Sequence, residues 1–508
     1  MAEVRLADLL AGLSRLADLG FGLEMDTALR SCALAARLAR SLDLPDSDVQ
    51  AAFYTAFLHH VGCVGYARET AQLFGDELRV NAAAGRTDTA SPGDLIGTFL
   101  PTLIRGRPVG ERIRLVMAAI TQGRRWGDEF TNAACEVGRD TARRLGLPDP
   151  VQLSLYHVYD PWRGSGADGI PVGARIARLT GLAVLFESIG GPELTVGAVR
   201  RRAGGMLDPA LVERFERHSG EWLAELAAAD ARDAVLEAEP RPHLTVEDAR
   251  VVAEVFGDLA DLKSRYLVGH SRGVASLAVG AGERLGLPAA TRLDLELAGL
   301  LHDLGRVAVS TAIWDKPGRW SAHEWEQARL HPYYSERILA GSVELARLAP
   351  TVGRHHERLD GSGYHRGSTE DDLSTAARVL AAADAFRTAT EPRAHRPPLS
   401  EDGARVRLLE RAELGHLDTD AVRAVLAAAG QEVPRGGRRR PNALSYREAE
   451  VLSLLARGCS NAEIATRLVI SRRTAEHHVQ HIYAKIGVSS RAAATLFAVE
   501  HHLLDRDG

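Results

Sequence analysis

The chain has 508 residues, room for three or four domains, and its 45% hydrophobic and 25% charged content is that of an ordinary globular protein. No run of 18 apolar residues occurs, and the opening MAEVRLADLLAGLSRLADLG carries Glu3, Asp8 and Asp18 with no basic start or apolar middle, so neither a bilayer-spanning segment nor a secretion signal is expected. The net charge of −5 is uneven: from Arg435 onward 12 basic residues stand against 7 acidic ones, which leaves −10 on the rest, the balance of a nucleic-acid-binding end on an acidic body.

Ala, Leu, Arg and Glu dominate, and apolar residues recur three and four apart, as at Leu297, Leu300, Leu301 and Leu304, so helix is predicted almost throughout and the fold class is all-α. Cys32, Cys63, Cys135 and Cys459 are scattered with no Cys-x-x-Cys pair and are expected to be buried, reduced thiols in a cytoplasmic protein. A first region, 1–238, ends at Glu239-Pro240-Arg241-Pro242. A helix start then follows at Thr245, with Asp248 three residues on as in a capping box. A second region, 243–432, repeats marks of the first. LDLP at 42–45 precedes LHHVG at 58–62, as LGLP at 285–288 precedes LHDLG at 301–305, with 14 residues from Pro to His in both. RGSG at 163–166 answers DGSG at 360–363, and GGMLDPALV at 204–212 answers LGHLDTDAV at 414–422. Ordered recurrence at fixed spacing reads as duplication. A Gly/Arg/Pro linker at 433–443 separates these regions from 444–508.

The second region places His270, His302, Asp303, His331, His355, His356 and Asp384 on well-separated predicted helices. Five imidazoles and two carboxylates suit a metal centre inside a helical bundle, and mixed N/O donors favour Fe, Mn, Zn or Ni. Adjacent helical residues point ~100° apart, so His302-Asp303 and His355-His356 can each serve two neighbouring ions, or one ion and a supporting partner. Between residues 266 and 397 the chain resembles the HD-GYP branch of the HD-domain phosphohydrolases, known for opening cyclic di-GMP. The resemblance implies that Asp303 bridges two divalent ions, that the other six residues complete the set, and that a water acidified by the metals attacks phosphorus in line. It also puts Arg306 at a catalytic position where the family carries Lys, a planar fork in place of an ammonium. Other departures are Gly363-Tyr364-His365 for GYP, Arg387 where an acid is expected, and Tyr266 for the Glu of three-metal members, which favours two ions. In the first region His270 falls on Thr27, Asp303 on His60 and Asp384 near Gly181. This degenerate HD-type copy is expected to sense or dimerise, with His59, His60 and His157 capping, packing or facing solvent.

In 444–504 Ser445-x-x-Glu448 and Ser460-x-x-Glu463 read as capping boxes, Ser471 and Ser490 as further caps, and Gly458 as a helix end. Val451, Leu452, Leu455, Ile464, Ala465, Leu468, Val479, Ile482 and Ile486 can close one small core around four short helices, with Val469-Ile470 in the tight turn. The segment resembles the LuxR/FixJ-type helix-turn-helix family, with Ala475 where the family usually has Val. That resemblance sends the helix beginning near Arg472 into the major groove, Glu476, His477 and Gln480 to base edges, and Arg472, Arg473, Thr474 and Lys485 to phosphates. The expected partners are double-stranded DNA, a cyclic dinucleotide or other phosphodiester, and a second copy of the chain, with no membrane. Two readings stand: a transcription regulator with a working metal phosphodiesterase domain, and one whose HD-type body only responds to a ligand or dimerises.

Overall fold

The computed structural model describes residues 4–163, 169–431, 444, 446–468, 470–501 and 503. The linker at 433–443, the Ser445 cap, Val469 and most of the RGSG segment lie outside the described residues. Helix dominates, and the strands among the described residues are β1 (Val4–Arg5) and β2 (Thr245–Val246), paired antiparallel. Thr245 is therefore not a helix start. Its backbone pairs with Arg5, and the next helix, Ala249–Asp261, is capped by Asp248, whose carboxylate accepts from Arg250 N. Strand pairing satisfies the backbone groups that a cap at 245 would have served.

The chain divides into two compact units. One comprises 1–276, 292–353 and 391–398, the other 277–291, 354–390 and 399–508. At the centre of the first lies the helix Leu6–Phe21, buried nearly all round, as a helix walled in on every side must be. Gly20 is in contact range of Val64 and of Val307, which belong to the equivalent 3₁₀ turns Val61–Tyr66 and Leu304–Ala308. Gly12 lets the backbone of the helix His331–Leu339 approach, since a Cβ there would lie 2.9 Å from Ile338 O. The helix Val172–Arg201 has the length and apolar composition of a membrane span. It is broken by non-helical Gly190 and Gly191 and packs its buried residues against the helices Thr27–Ser41 and Asp46–Leu58.

The duplication is visible in specific contacts. Asp18 accepts from Ala28 N, and Asp261, offset by 243 residues, accepts from Ser271 N; the same offset relates Pro45 to Pro288 and His59 to His302. Gly62 and Gly305 also share that offset, and a Cβ at either would collide with a passing carbonyl, Ala134 O or His331 O. Asp208 caps one helix and takes Arg175 at 2.5 Å; Asp418 caps another and takes Arg378 at 3.1 Å.

The last four helices are Tyr446–Ala456, Asn461–Leu468, Arg472–Ile486 and Arg491–Glu500. Val451, Leu452, Leu455, Ile464, Ala465, Val479, Ile482 and Ile486 are buried in one cluster with Ala475, against which Leu468 packs. Small Ala475 therefore fits a closed core.

Candidate metal centre and DNA-binding surface

His302 and Asp303 follow directly on the helix Ala289–Leu301, whose Leu297, Leu300 and Leu301 face the core and so carry the pair inward. His270 opens the helix His270–Arg284, and His331 opens His331–Leu339. Within the first unit these four buried residues converge on one carboxylate. Asp303 Oδ2 lies 3.3 Å from His302 Nε2 and 3.6 Å from His270 Nε2, and Oδ1 lies 3.2 Å from His331 Nε2. Gly305 makes the last approach possible, because a Cβ there would sit 2.1 Å from His331 O.

Each ring is oriented from behind. His302 Nδ1 is 2.8 Å from Gly299 O, His331 Nδ1 is 2.7 Å from Ala328 O, and His270 Nδ1 is 2.7 Å from Glu391 Oε2. Donation from Nδ1–H to those oxygens fixes the tautomer in which Nε2 carries a lone pair toward Asp303, the arrangement found behind metal-ligating imidazoles. Three imidazole nitrogens and a carboxylate so presented fit a divalent transition-metal ion. Sequence reading missed Glu391. It looks for the supporting acid at position 387, occupied by Arg, whereas the carboxylate comes from just beyond the end of the helix Thr375–Thr390.

Burial alone would raise the pKa of Asp303, but the Arg306 guanidinium beside it holds its carboxyl well below the usual carboxylate range. Arg306 Nε is 2.5 Å from Asp303 Oδ2, and its guanidinium lies 4.7 Å from the centre of the Trp314 ring, whose indole N–H donates to Arg306 O. Arg306 is thus clamped by a carboxylate, an aromatic face and its own turn.

In the second unit His355 is buried and stacks near His356, ring centroids 4.2 Å apart, and His356 Nδ1 lies 3.6 Å from Asp384 Oδ2. Tyr364, the tyrosine of the altered GYP, stacks on His356 at 4.4 Å. Thr388 Oγ1 donates to Asp384 Oδ1 at 3.0 Å.

The degenerate copy holds a different object at the same place. His59 and His60 stack at 4.2 Å, Phe21 covers the other face of His60 at 4.0 Å, and Tyr159 lies 3.0 Å from His60 Nδ1. Burial depresses the pKa of both imidazoles, His59 well below its usual value and His60 to about 3, so the pair is neutral. His157 pairs with Asp160 at 2.7 Å.

In the last four helices, Ser460 Oγ accepts from Glu463 N while Glu463 accepts from Ser460 N, a closed capping box. Ser471 caps Arg472–Ile486 through Thr474 N, and Ser490 caps the last helix through Ala493 N. Arg473, Glu476, His477 and Gln480 lie on the accessible side of this helix, His477 stacked on His481 at 4.1 Å. Arg472 bonds Glu476 at 3.0 Å, and Lys485 donates to buried Glu448 at 2.9 Å.

Fold and site together define an HD domain joined to a LuxR-type helix-turn-helix domain: residues 254–421 match the HD domain family, and residues 442–498 match the luxR family of bacterial regulatory proteins. The chain is 29% identical over 410 residues to the 3'3'-cGAMP-specific phosphodiesterase 3 of Vibrio cholerae, covering 78% of this chain and 89% of that protein. It is 34% identical over 166 residues to a cyclic di-GMP phosphodiesterase of Pseudomonas aeruginosa, spanning 40% of it. The crystal structure of a cyclic GMP-AMP specific phosphodiesterase of V. cholerae superposes with a TM-score of 0.57 at 26% identity, covering 85% of this chain and 99% of that one.

Proposed function

We propose that this protein is a cytoplasmic transcription regulator whose HD domain is a divalent-metal phosphodiesterase acting on a cyclic dinucleotide. The observation that carries the reading is the Asp303 carboxylate, within 3.6 Å of three imidazole nitrogens whose rings are each oriented by an oxygen behind them. On this reading His355, His356 and Asp384 complete the ligand set that His270, His302, Asp303 and His331 begin, around two ions. Such ions supply Lewis acidity and an activated water for attack at phosphorus. Arg306 is the fixed cation of the site and supplies positive charge for a phosphate oxygen. The similarity to cyclic-dinucleotide phosphodiesterases supports the substrate class. Arg473, Thr474, Glu476, His477 and Gln480 contact DNA, in support of which stand the luxR-family match and the capped, exposed helix that carries them.

A second reading has one observation in its favour. The Arg306–Asp303 ion pair neutralises the carboxylate that would bridge two metals, as suits a body that binds a ligand without turnover.

Elemental analysis of the full chain, followed by hydrolysis assays on 3'3'-cGAMP, cyclic di-GMP and a nitrophenyl phosphodiester, separates the two. Metal with turnover supports the first reading. Metal or dinucleotide binding without turnover supports the second. Absence of metal together with absence of dinucleotide binding removes both. Salt-dependent retention of duplex DNA by the same preparation tests the DNA-binding part.

A further inference from the structure

The helix Val109–Arg144 has 36 residues, about 54 Å at the standard rise. Its C-terminal half is a core element, with Ala134, Cys135, Gly138, Thr141 and Ala142 buried. Its N-terminal half is held from one side, where Leu115 and Trp126 join a small cluster with Phe74, Val80 and Leu103. Elsewhere on this half Val109, Ile113, Val116, Ile120, Gly123 and Gly127 recur at alternating spacings of four and three, a heptad seam. Val109, Ile113 and Ile120 are 69%, 61% and 72% exposed, and Met117 beside them is 55% exposed. By helical angle the seam continues into the face that Ala134, Gly138 and Thr141 bury in the body, so one continuous face is core at one end and bare at the other. A Cβ at Gly123 or Gly127 would meet nothing within 4 Å, so no contact among the described residues asks for glycine there, although glycine is a poor helix former.

We propose that this seam is the interface of a homodimer in which the 109–127 segments of two copies pack antiparallel about a two-fold axis at Ala118. Such an axis sets Val109 against Gly127, Ile113 against Gly123 and Val116 against Ile120 of the second copy. Large residues meet the recesses left by glycine at both ends, and two β-branched residues fill the middle. A parallel pair would set glycine against glycine and leave a void where packing is required. The complement of every large seam residue is thus present on the same helix at the matching distance from its midpoint, which is what an isologous two-fold interface requires. Four exposed large apolar side chains per copy form one contiguous apolar patch rimmed by polar residues, of the kind that marks an interaction site. The seam shares no residue with the candidate metal ligands or with the helix Arg472–Ile486, and the dimer carries two copies of that helix in one assembly.

Sedimentation equilibrium of the full chain across the micromolar range is expected to show a dimer. Ile113→Glu, which places charge in the seam, should weaken it by roughly tenfold or more. Gly123→Leu should weaken it comparably by filling the recess, while circular dichroism and the melting temperature stay at or above the parent values, so loss of fold cannot explain the effect. The double variant Ile113→Cys/Gly123→Cys should form a covalent dimer on oxidation in which residue 113 of one copy is joined to residue 123 of the other by peptide mapping, whereas parallel pairing would join 113 to 113 and 123 to 123. A monomeric parent over this range, a dimer that survives both Ile113→Glu and Gly123→Leu, or failure of the double variant to join 113 to 123 overturns the proposal.

Discussion

At Asp303 one carboxylate is shared by His270, His302, His331 and Arg306, so its removal should disable more than one ligand contact. Asp303→Ala is expected to strip the protein of divalent metal, while His365→Ala, outside the ligand set, keeps the parent content; equal content in both by elemental analysis would sink the assignment. Glu391→Gln leaves every ligand in place but weakens the bond that orients His270. Its metal affinity should fall roughly 10–100-fold in chelator competition, as for other residues that support a metal ligand. His60 makes a pH prediction. Its pKa is about 3 in the fold against 6.5 when free, so between those values the unfolded chain binds the proton and the folded chain does not. Its contribution to stability is complete above pH 6.5 and is lost as pH falls toward 3, at up to ~1.4 kcal/mol per pH unit. In urea titrations at pH 7 and pH 5, His60→Phe, which keeps the stacking with Phe21 and His59, should lose less stability than the parent; equal losses would contradict this.

At the scale of elements, the recognition helix Arg472–Ile486 separates two kinds of basic residue that look alike in the sequence. Arg473 is exposed, whereas Lys485 is spent on Glu448, a buried residue in the first turn of the first helix of the domain. Arg473→Ala should leave the melting temperature unchanged and lower the salt dependence of DNA binding by about one counterion. Lys485→Ala removes one hydrogen-bonding partner of a buried carboxylate and should cost ~1–3 kcal/mol of stability whether or not DNA is present. Calorimetry of the two variants, paired with salt titrations of DNA binding, checks the distinction. If Lys485→Ala changes the salt slope as Arg473→Ala does and leaves stability intact, Lys485 is a phosphate contact. Gln480→Ala should instead relax discrimination at one base position by ~1–3 kcal/mol.

In the molecule as a whole, the degenerate first region is built into the same unit as His270, His302, Asp303 and His331. Glu77 is fully buried, takes Lys263 at 2.6 Å, and accepts from Ser310 Oγ and Thr311 N, both at 2.8 Å. Lys263 in turn donates to Val307 O at 3.0 Å, in the 3₁₀ turn that carries Arg306. Removing one partner of a buried pair strands the other, so Glu77→Ala should cost ~3–5 kcal/mol in urea unfolding. The double variant Glu77→Leu/Lys263→Met should recover most of it, because two apolar groups of similar size leave no charge to strand. A double variant no more stable than Glu77→Ala would mean that the network, rather than the stranded charge, sets the cost.

The sequence by itself determined much of this. Periodic Leu and Ala made the helices, Ser-x-x-Glu at 460–463 fixed a helix start, and the motifs carrying His270, His302, Asp303 and His331 singled out four residues that the fold brings together. These are local or motif-borne signals, carried by a residue's own side chain or by its near neighbours. Tertiary structure alone decided the matters in which distant segments compete for one partner. Thr245 pairs with Arg5 instead of opening a helix, Glu391 takes the supporting role sought at 387, and Lys485 turns to Glu448. Each of those outcomes depends on which donor meets which acceptor across tens or hundreds of residues, so the pairing is set by packing and is not written at any single position.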